Sequence, residues 1–206
     1  MKRKWLLLIL LCISGVFTTK VVIAFDGNAQ VIQAEDFGDC HDIIINDGVS
    51  DEYFDSVLEY WDMIPIDIRA SMKADGWTAT ATFKDLNHIK TPNSIEGNLT
   101  GGYVDWDNDN LVIADRIASN ILHEVGHYWD YKQKFCSSDM PDEVHQSEME
   151  NAMKVDSSRT ATIGNYSTKI EYYAACFELY LLKPDELKEM CPETYAFIED
   201  HITLGE

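Results

Sequence analysis

The chain has 206 residues, of which 46% are apolar, and this length and composition suit one globular domain with a sizeable hydrophobic core. Its formal net charge of −20 at pH 7 disfavours nucleic acids and anionic membranes as partners, because both would repel it.

The first residues have the composition of a secretory signal peptide. Basic residues at positions 2 to 4 precede an uncharged stretch from Trp5 to Thr19, and small or branched residues favour cleavage after Ala24. A retained membrane anchor is the alternative, although Lys20 interrupts the apolar stretch before it reaches the length that spans a bilayer.

These features predict three segments. Residues 1–24 form a signal peptide, residues 25–42 an acidic lead-in, and residues 43–206 a single folded domain. We expect a secreted, extracellular monomer that contacts no membrane once the signal peptide is removed.

The first part of the domain alternates strand and helix patterns. Residues 43–45 are three consecutive isoleucines, which predict a short strand. Ser50 can then cap a helix whose apolar positions follow the helical period and which ends before Pro65. From Trp77 to Phe83, bulky or small apolar residues alternate with threonines, a pattern that predicts a half-buried strand.

A surface loop and a hairpin follow. Residues 87–101 contain proline, glycine and scattered polar groups, which are typical of a loop. Residues 102–106 and 111–114 read as two strands joined by a polar turn. The first strand, which includes Tyr103, is a candidate edge strand that could bind an extended substrate through backbone hydrogen bonds.

His123, Glu124 and His127 form a His-Glu-x-x-His pattern in a proline-free run, Asp115 to Tyr131, that predicts a helix. With 3.6 residues per turn, the two histidines stack on one face and Glu124 lies about 100° round from His123. Two neutral imidazoles can hold one Zn²⁺ ion and leave room for a third ligand and a water whose pKa the metal lowers toward about 7. Glu124 can serve as general base toward that water and then as general acid toward the leaving amine.

The third zinc ligand has two candidates. Glu148 is placed as in thermolysin-like sites, but it lies in residues 137–168, which we predict to be a polar excursion that can include a short helix near Glu148. Glu171 lies on a helix that is otherwise apolar nearly all round, where a carboxylate is costly unless it is paired or metal-bound. We predict Glu171 as the ligand and expect Glu178, two turns later, to orient one of the ligands from behind.

Four cysteines remain after the predicted cleavage, and the sequence does not choose among their three possible pairings. Cys136 is the best placed for a disulfide, with Cys40 or Cys191 as partner, whereas Cys176 lies in an apolar run that favours a buried thiol. No Cys-x-x-Cys pair is present, which disfavours a cysteine zinc site.

Three segments together resemble the catalytic domain of anthrax lethal factor and the small secreted Pro-Pro endopeptidases. They are residues 123–127 (His-Glu-Val-Gly-His), 171–177 (Glu-Tyr-Tyr-Ala-Ala-Cys-Phe) and 191–197 (Cys-Pro-Glu-Thr-Tyr-Ala-Phe). The resemblance implies an α+β, zincin-like single domain with a small mixed sheet, an active-site helix that carries the motif, and a C-terminal helical part. It also implies zinc ligation by His123, His127 and Glu171, with Glu124 as catalytic acid/base.

The resemblance implies further site residues. Tyr166 matches the tyrosine that stabilises the tetrahedral oxyanion in the family, a role that suits a phenol donor aimed at developing charge. Trp77 matches a residue of the substrate-side loop, and Gly101-Gly102 match the entry to the substrate-pairing strand.

The chain departs from the family at three places. Tyr166 is closer to the ligand glutamate than its family counterpart, and Ile170 and Ala175 stand where relatives carry glutamates. The last two differences weaken the expectation of cleavage between prolines.

The sequence therefore predicts a secreted zinc metalloendopeptidase whose metal-activated water hydrolyses peptide bonds in an extended protein segment, with proline-rich segments among the candidate substrates. The alternative is a catalytically inactive zinc-binding module with a toxin-accessory or adhesion role. The intact Glu124 argues against that alternative, because a module without turnover needs no general base.

Overall fold

The computed structural model describes residues 20–25, 28–33, 38–84, 86, 101–156 and 166–202. The chain divides into two compact units, Met1–Gly38 and Asp39–Glu206. None of the described helices has the length and apolar composition that a membrane crossing requires.

The first unit contains a two-stranded antiparallel sheet. Its strands are β1 (Lys20–Phe25) and β2 (Asn28–Gln33). The predicted cleavage point after Ala24 falls within β1, and the preceding residues 1–19 of the predicted signal peptide lie outside the described residues. Cleavage and the three-segment division remain predictions.

The second unit contains a four-stranded mixed sheet. Its strands are β3 (Ile44–Asp47), β4 (Thr78–Thr82), β5 (Gly102–Asp105) and β6 (Asn110–Ala114). The spatial order is β3-β4-β6-β5, in which β3, β4 and β6 are parallel and β5 is antiparallel to β6. The predicted hairpin is therefore confirmed, and its first strand lies at the edge of the sheet.

The described part of the second unit also contains seven α-helices, five of which follow the last strand of the sheet. They are α1 (Asp51–Met63), α2 (Ile66–Ala74), α3 (Asn120–Lys132), α4 (Asp142–Asp156), α5 (Lys169–Leu182), α6 (Pro184–Met190) and α7 (Pro192–His201). The predicted α+β class with a small mixed sheet and a helical C-terminal part is confirmed.

The first helix forms as its sequence predicts. The Ser50 hydroxyl accepts a hydrogen bond from the Tyr53 amide at 3.2 Å, which satisfies one of the amides left without a partner at the start of α1. Val57 and Trp61, one turn apart, are both fully buried, so the apolar stripe of α1 faces the core.

Two sequence predictions about helices need correction. Within the polar excursion predicted for residues 137–168, the helix around Glu148 is not short: α4 has 15 residues, and its few buried positions, such as Ala152 and Val155, give only a weak periodic signal. The motif helix begins at Asn120 and not at Asp115, because the backbone amide of Asp115 is hydrogen-bonded to Thr82 of β4.

Helices α3 and α5 pack together more closely than ordinary side chains would allow. A Cβ atom on Gly126 would lie 2.9 Å from the Cα atom of Ala174 and 3.2 Å from its carbonyl oxygen. Glycine in the middle of a helix costs about 1 kcal/mol relative to alanine, so its presence here reflects the close approach of the two backbones. Gly126, the residue directly before His127, thus allows α5 to lie against the motif helix.

The four described cysteines are all buried, and the disulfide suggested for Cys136 does not fit its surroundings. The Cys136 thiol donates to the carboxylate of buried Asp130 at 3.4 Å, and the Cys191 thiol donates to the carbonyl oxygen of Glu148 at 3.5 Å. Both residues act as thiol donors within the core.

Candidate metal centre

Helix α3 presents the two histidines of the motif side by side. The ring centroids of His123 and His127 are 4.8 Å apart, with the ring planes at 83° to each other. The opposite side of α3 is buried, with Leu122, Val125 and Trp129 fully inaccessible to solvent. This burial fixes the rotation of the helix and therefore the direction in which the imidazoles point.

Glu171 comes from the first turn of α5 and completes the group. The Thr168 hydroxyl accepts a hydrogen bond from the Glu171 amide at 3.3 Å, which caps α5 and fixes where the helix starts. The Glu171 Oε2 atom lies 3.4 Å from His123 Nε2 and 3.6 Å from His127 Nε2. Among the described residues, this is the group of histidine, cysteine and acidic side chains whose donor atoms converge, all within 4.8 Å of one another.

The separations of these donor atoms fit a tetrahedral metal ion. Bonds of about 2.0–2.1 Å from zinc to nitrogen and oxygen place neighbouring ligands about 3.3 Å apart in a tetrahedron. The two observed distances from Glu171 to the histidines, 3.4 and 3.6 Å, are close to that value. Two imidazoles and one carboxylate are also a known donor set of catalytic zinc sites that keep one position open.

The electrostatics of the group favour a bound cation. Burial opposes a charge on His123, but the hydrogen bond that His123 donates to Glu171 and the charges of Glu124, Glu171 and Glu178 raise its pKa to about 9. Burial likewise opposes ionisation of Glu171, yet its hydrogen bonds to both histidines hold its pKa far below the usual range. Carboxylates clustered around the imidazoles stabilise positive charge at this position, whether a proton or a metal ion supplies it.

Glu124 lies between this group and the edge strand. Burial raises the pKa of its carboxyl group, and the charges of the two histidines oppose that shift. A Cβ atom on Gly102 would lie 2.8 Å from Glu124 Oε1 and 2.9 Å from the carbonyl oxygen of Val112. The start of β5 therefore passes directly over Glu124. Only glycine at position 102 leaves room for the Glu124 carboxylate and the backbone of Val112.

Asn120 makes a similar contact one turn earlier, and sequence reasoning missed it. A Cβ atom on Gly101 would overlap the Asn120 side-chain amide, at 1.8 Å from Nδ2. Asn120 and Glu124 are four residues apart and thus share a face of α3. The i, i+4 spacing of Asn120 and Glu124 is visible in the sequence, but only the tertiary structure shows that one strand start lies over both side chains.

Two residues predicted to contact substrate, Trp77 and Tyr103, pack against other side chains of the chain, and their substrate contact stays a prediction. Trp77 is only 4% exposed and packs between Trp106 and Tyr128, with ring centroids 5.5 and 5.0 Å away. Tyr103 packs against a small cluster, Leu86, Val112 and Ala114. Successive side chains of a strand point to opposite faces, so Tyr103 lies on the face of β5 opposite to the one that Gly102 turns toward Glu124.

Tyr166 is buried, and its hydroxyl donates to Asp156 at the end of α4 at 2.8 Å. A tyrosine that stabilises an oxyanion must direct its hydroxyl at the reacting carbonyl, so this role would require the hydroxyl to leave Asp156. The role of oxyanion donor stays a prediction. Sequence reasoning did not find Asp156, because it lay in the predicted polar excursion.

Glu178 lies behind the metal group, as expected for a residue that orients a ligand. Burial raises the pKa of its carboxyl group, while the charge of His123 and a hydrogen bond with Ser119 oppose the shift. Ser119 directly precedes α3, so this hydrogen bond links α5 to the start of the motif helix. The proposed orienting role stays a prediction.

The alternative ligand Glu148 serves another purpose. Its two carboxylate oxygens accept hydrogen bonds from the amides of Glu193 and Thr194, at 3.1 and 2.9 Å. Glu148 lies on α4 and caps the start of α7. Its negative charge is therefore at the positive, N-terminal end of α7. Glu148 is not part of the metal group, and the thermolysin-like alternative is wrong.

Comparisons with known proteins give a match at the level of structure. No protein-family model matches the chain, and no curated protein matches it in sequence. Among solved structures, the Pro-Pro endopeptidase PPEP-2 from Paenibacillus alvei matches with a TM-score of 0.60 and 14% sequence identity, covering 79% of this chain and 99% of that one. The chain thus has the α+β fold of a Pro-Pro endopeptidase.

Proposed function

We propose that this protein is a secreted zinc metalloendopeptidase of the lethal factor-like type, acting on an extended segment of a protein. One observation carries the proposal: His123, His127 and Glu171 meet at separations that suit a tetrahedral ion, with Glu124 beside them. Secretion rests on the signal-like composition of residues 1–24.

The residues of the chain divide the chemical work among them. His123, His127 and Glu171 would hold one zinc ion, which supplies Lewis-acid activation of a water molecule and of the scissile carbonyl. Glu124 would take a proton from that water at its carboxylate and later deliver it to the leaving amine. The raised pKa of Glu124 suits a group that must both accept and donate a proton.

The edge strand gives the substrate a place to bind. β5 pairs with β6 along one edge. No other described strand pairs with its outer edge. Its backbone amides and carbonyls there can pair with an extended peptide, and Gly102 places the paired segment next to Glu124. Proline-rich peptides are the first substrates to test, because the structural neighbour carries the name of a Pro-Pro endopeptidase.

The test combines metal content with peptide cleavage. The purified chain is expected to contain one zinc ion and to cleave members of a degenerate peptide library that includes Pro-Pro sequences. Glu124→Gln should keep the zinc and lose at least about 100-fold in kcat, as expected when a general base is removed. Glu171→Ala should lose the zinc, whereas the exposed Glu150→Ala on α4 should keep both zinc and activity.

Three results would count against the proposal. Cleavage that survives Glu124→Gln contradicts the mechanism, and zinc content that survives Glu171→Ala contradicts the ligand set. Stoichiometric zinc without cleavage of any library peptide would favour the inactive zinc-binding module.

A further inference from the structure

Three large aromatic side chains stand half exposed beside one another at one end of α3. Trp106, Tyr131 and Phe135 are 46% to 48% exposed. Their ring centroids form a continuous series, at 5.1 Å from Trp106 to Tyr131 and 5.7 Å from Tyr131 to Phe135. We call these three residues the distal aromatic surface. Adjacent exposed aromatic rings on a strongly acidic protein indicate a binding site more than a solubility device.

The backbone is held in an uncommon conformation to form this surface. Phe135 has φ of 60°, in the left-handed region that bulky residues rarely adopt. The fully buried Ser137 donates its amide and hydroxyl to the Asp130 carboxylate at 2.7 and 2.8 Å, and the Phe135 amide donates to the Asp130 carbonyl at 2.7 Å. These bonds fix the chain reversal that brings Phe135 against Tyr131. Strain that the surrounding structure maintains is a common property of binding sites.

The distal aromatic surface and the proposed active site lie along the same face of α3. Glu124 and Tyr131 are seven residues apart, nearly two helical turns, so they share a face of α3 and lie about 10.5 Å apart along its axis. Gly102 contacts Glu124, and Trp106, four residues further along the same chain, contacts Tyr131. Thus β5 and its continuation run beside α3 from the catalytic residue to this surface.

A substrate paired with β5 would therefore reach the aromatic rings. An extended peptide rises about 3.3 Å per residue, so a peptide with its scissile carbonyl next to Glu124 reaches Tyr131 three or four residues away. Buried Trp77 packs behind Trp106 at 5.5 Å and supports it from the core side. Trp77, to which the resemblance assigns a place in the substrate-side loop, thus supports the exposed Trp106.

We propose that the distal aromatic surface is a substrate subsite that takes a bulky apolar side chain of the peptide, three or four residues from the scissile bond. The subsite rests on the proposed function. The distal aromatic surface lies on one side of Glu124 along α3, so its preference applies to one side of the scissile bond only. Burial of such a side chain against the rings should raise kcat/KM about 10-fold over alanine at the same position.

The test is a cleavage profile of a degenerate peptide library, with fragments aligned on the scissile bond by mass spectrometry. The zinc-loaded chain should enrich bulky apolar residues at one position, three or four residues away and on one side. Tyr131→Ala should remove this enrichment, whereas Met63→Ala, which removes an exposed apolar side chain at the end of α1, should leave it intact. Enrichment that is absent from the wild-type chain, or that persists in Tyr131→Ala, would overturn the subsite.

A binding experiment separates failure of the subsite from failure of the enzyme. The same library is captured on the immobilised Glu124→Gln chain, and the bound peptides are sequenced. A bulky apolar preference in this pool that Tyr131→Ala abolishes supports the subsite even if no peptide is hydrolysed, a result that would reject only the proposed turnover. A captured pool that is identical for the Glu124→Gln chain with and without Tyr131→Ala rejects the subsite, whatever the cleavage assay shows.

Discussion

At the scale of single residues, the candidate site depends on how closely the edge strand approaches Glu124. Gly102 is the point of contact, because no side chain fits between Glu124 and the backbone of Val112. The glycine pair at the start of β5 therefore has a steric function that an edge strand alone would not require. The candidate metal ligands and the proposed general base Glu124 lie on α3 and α5, but the position of Glu124 is also limited by β5.

Gly102→Ala should reduce activity without removing the metal. Its Cβ would lie 2.8 Å from Glu124 Oε1 and 2.9 Å from a backbone oxygen, so either the carboxylate or the strand must move. A displacement of about 1 Å can cost about 100-fold in rate, and we expect kcat/KM to fall by about 10- to 100-fold with unchanged zinc content. The control is Val104→Ala on the same strand. Activity equal to that of the wild-type chain would show that Glu124 and β5 are not in tight contact.

At the scale of secondary-structure elements, two contacts bring the ligand-bearing helices together. Gly126 allows α3 and α5 to approach, and the Thr168 cap fixes the first turn of α5, which carries Glu171. A third contact, from Glu148 of α4 to the start of α7, joins the C-terminal helices. None of these residues belongs to the candidate metal group, yet their contacts set the arrangement of the helices that carry it.

The direction in which Gly126→Ala changes the free energy of unfolding tests how closely α3 and α5 pack. In a loosely packed helix this change would stabilise the protein by about 1 kcal/mol, because alanine favours helix. Here the new Cβ would lie 2.9 Å from the Ala174 backbone, so we expect destabilisation of about 1–3 kcal/mol and weaker zinc binding. Denaturant unfolding and a zinc titration measure the two effects. A gain in stability would contradict the close packing of α3 and α5.

Glu148→Gln should weaken folding but not metal binding. The change replaces the carboxylate that accepts two amide hydrogen bonds at the start of α7 by a neutral amide. Hydrogen bonds to charged groups contribute about 1.5–3 kcal/mol each to the free energy of unfolding. We expect the free energy of unfolding to fall by about 1–3 kcal/mol, with one zinc ion still bound per folded chain. Glu150→Gln on the exposed side of α4 is the matched control. Loss of zinc in the Glu148 variant alone would reopen the thermolysin-like assignment.

At the scale of the whole molecule, the metal group joins two helices that are distant in sequence. His123 and His127 lie on α3 and Glu171 on α5, so an ion bound to all three links them within the folded unit. An ion that binds only the folded state stabilises it by mass action. Metal occupancy should therefore contribute to stability as well as to catalysis.

Removal of zinc by a chelator should lower the melting temperature. At a zinc concentration of about 100 times Kd, binding contributes about 2.7 kcal/mol, which corresponds to a shift of about 5–10 °C for a domain of this size. Differential scanning calorimetry with and without chelator measures the shift, and restored zinc should reverse it. His123→Ala should show no response to the chelator. An equal shift in that variant would mean that the chelator acts elsewhere.

The sequence determined those features that depend on neighbours along the chain. The i, i+4 spacing of His123 and His127 placed both on one helix face, the alternation after Trp77 gave a strand, and the polar turn before Leu111 gave a hairpin. An acid in an apolar helix also identified Glu171, because an isolated carboxylate there is costly. Each of these inferences uses a local period or a local cost.

Only the tertiary structure decided which distant residues meet. Glu148 and Glu171 are both acids on C-terminal helices, yet one caps α7 and the other reaches the histidines. The resemblance assigns site roles to Tyr166 and Trp77, but only the structure shows that the Tyr166 hydroxyl donates to Asp156 and that Trp77 is buried against Trp106. The direction of a side chain depends on how its helix or strand packs against the rest of the chain, and no spacing within one element contains that information.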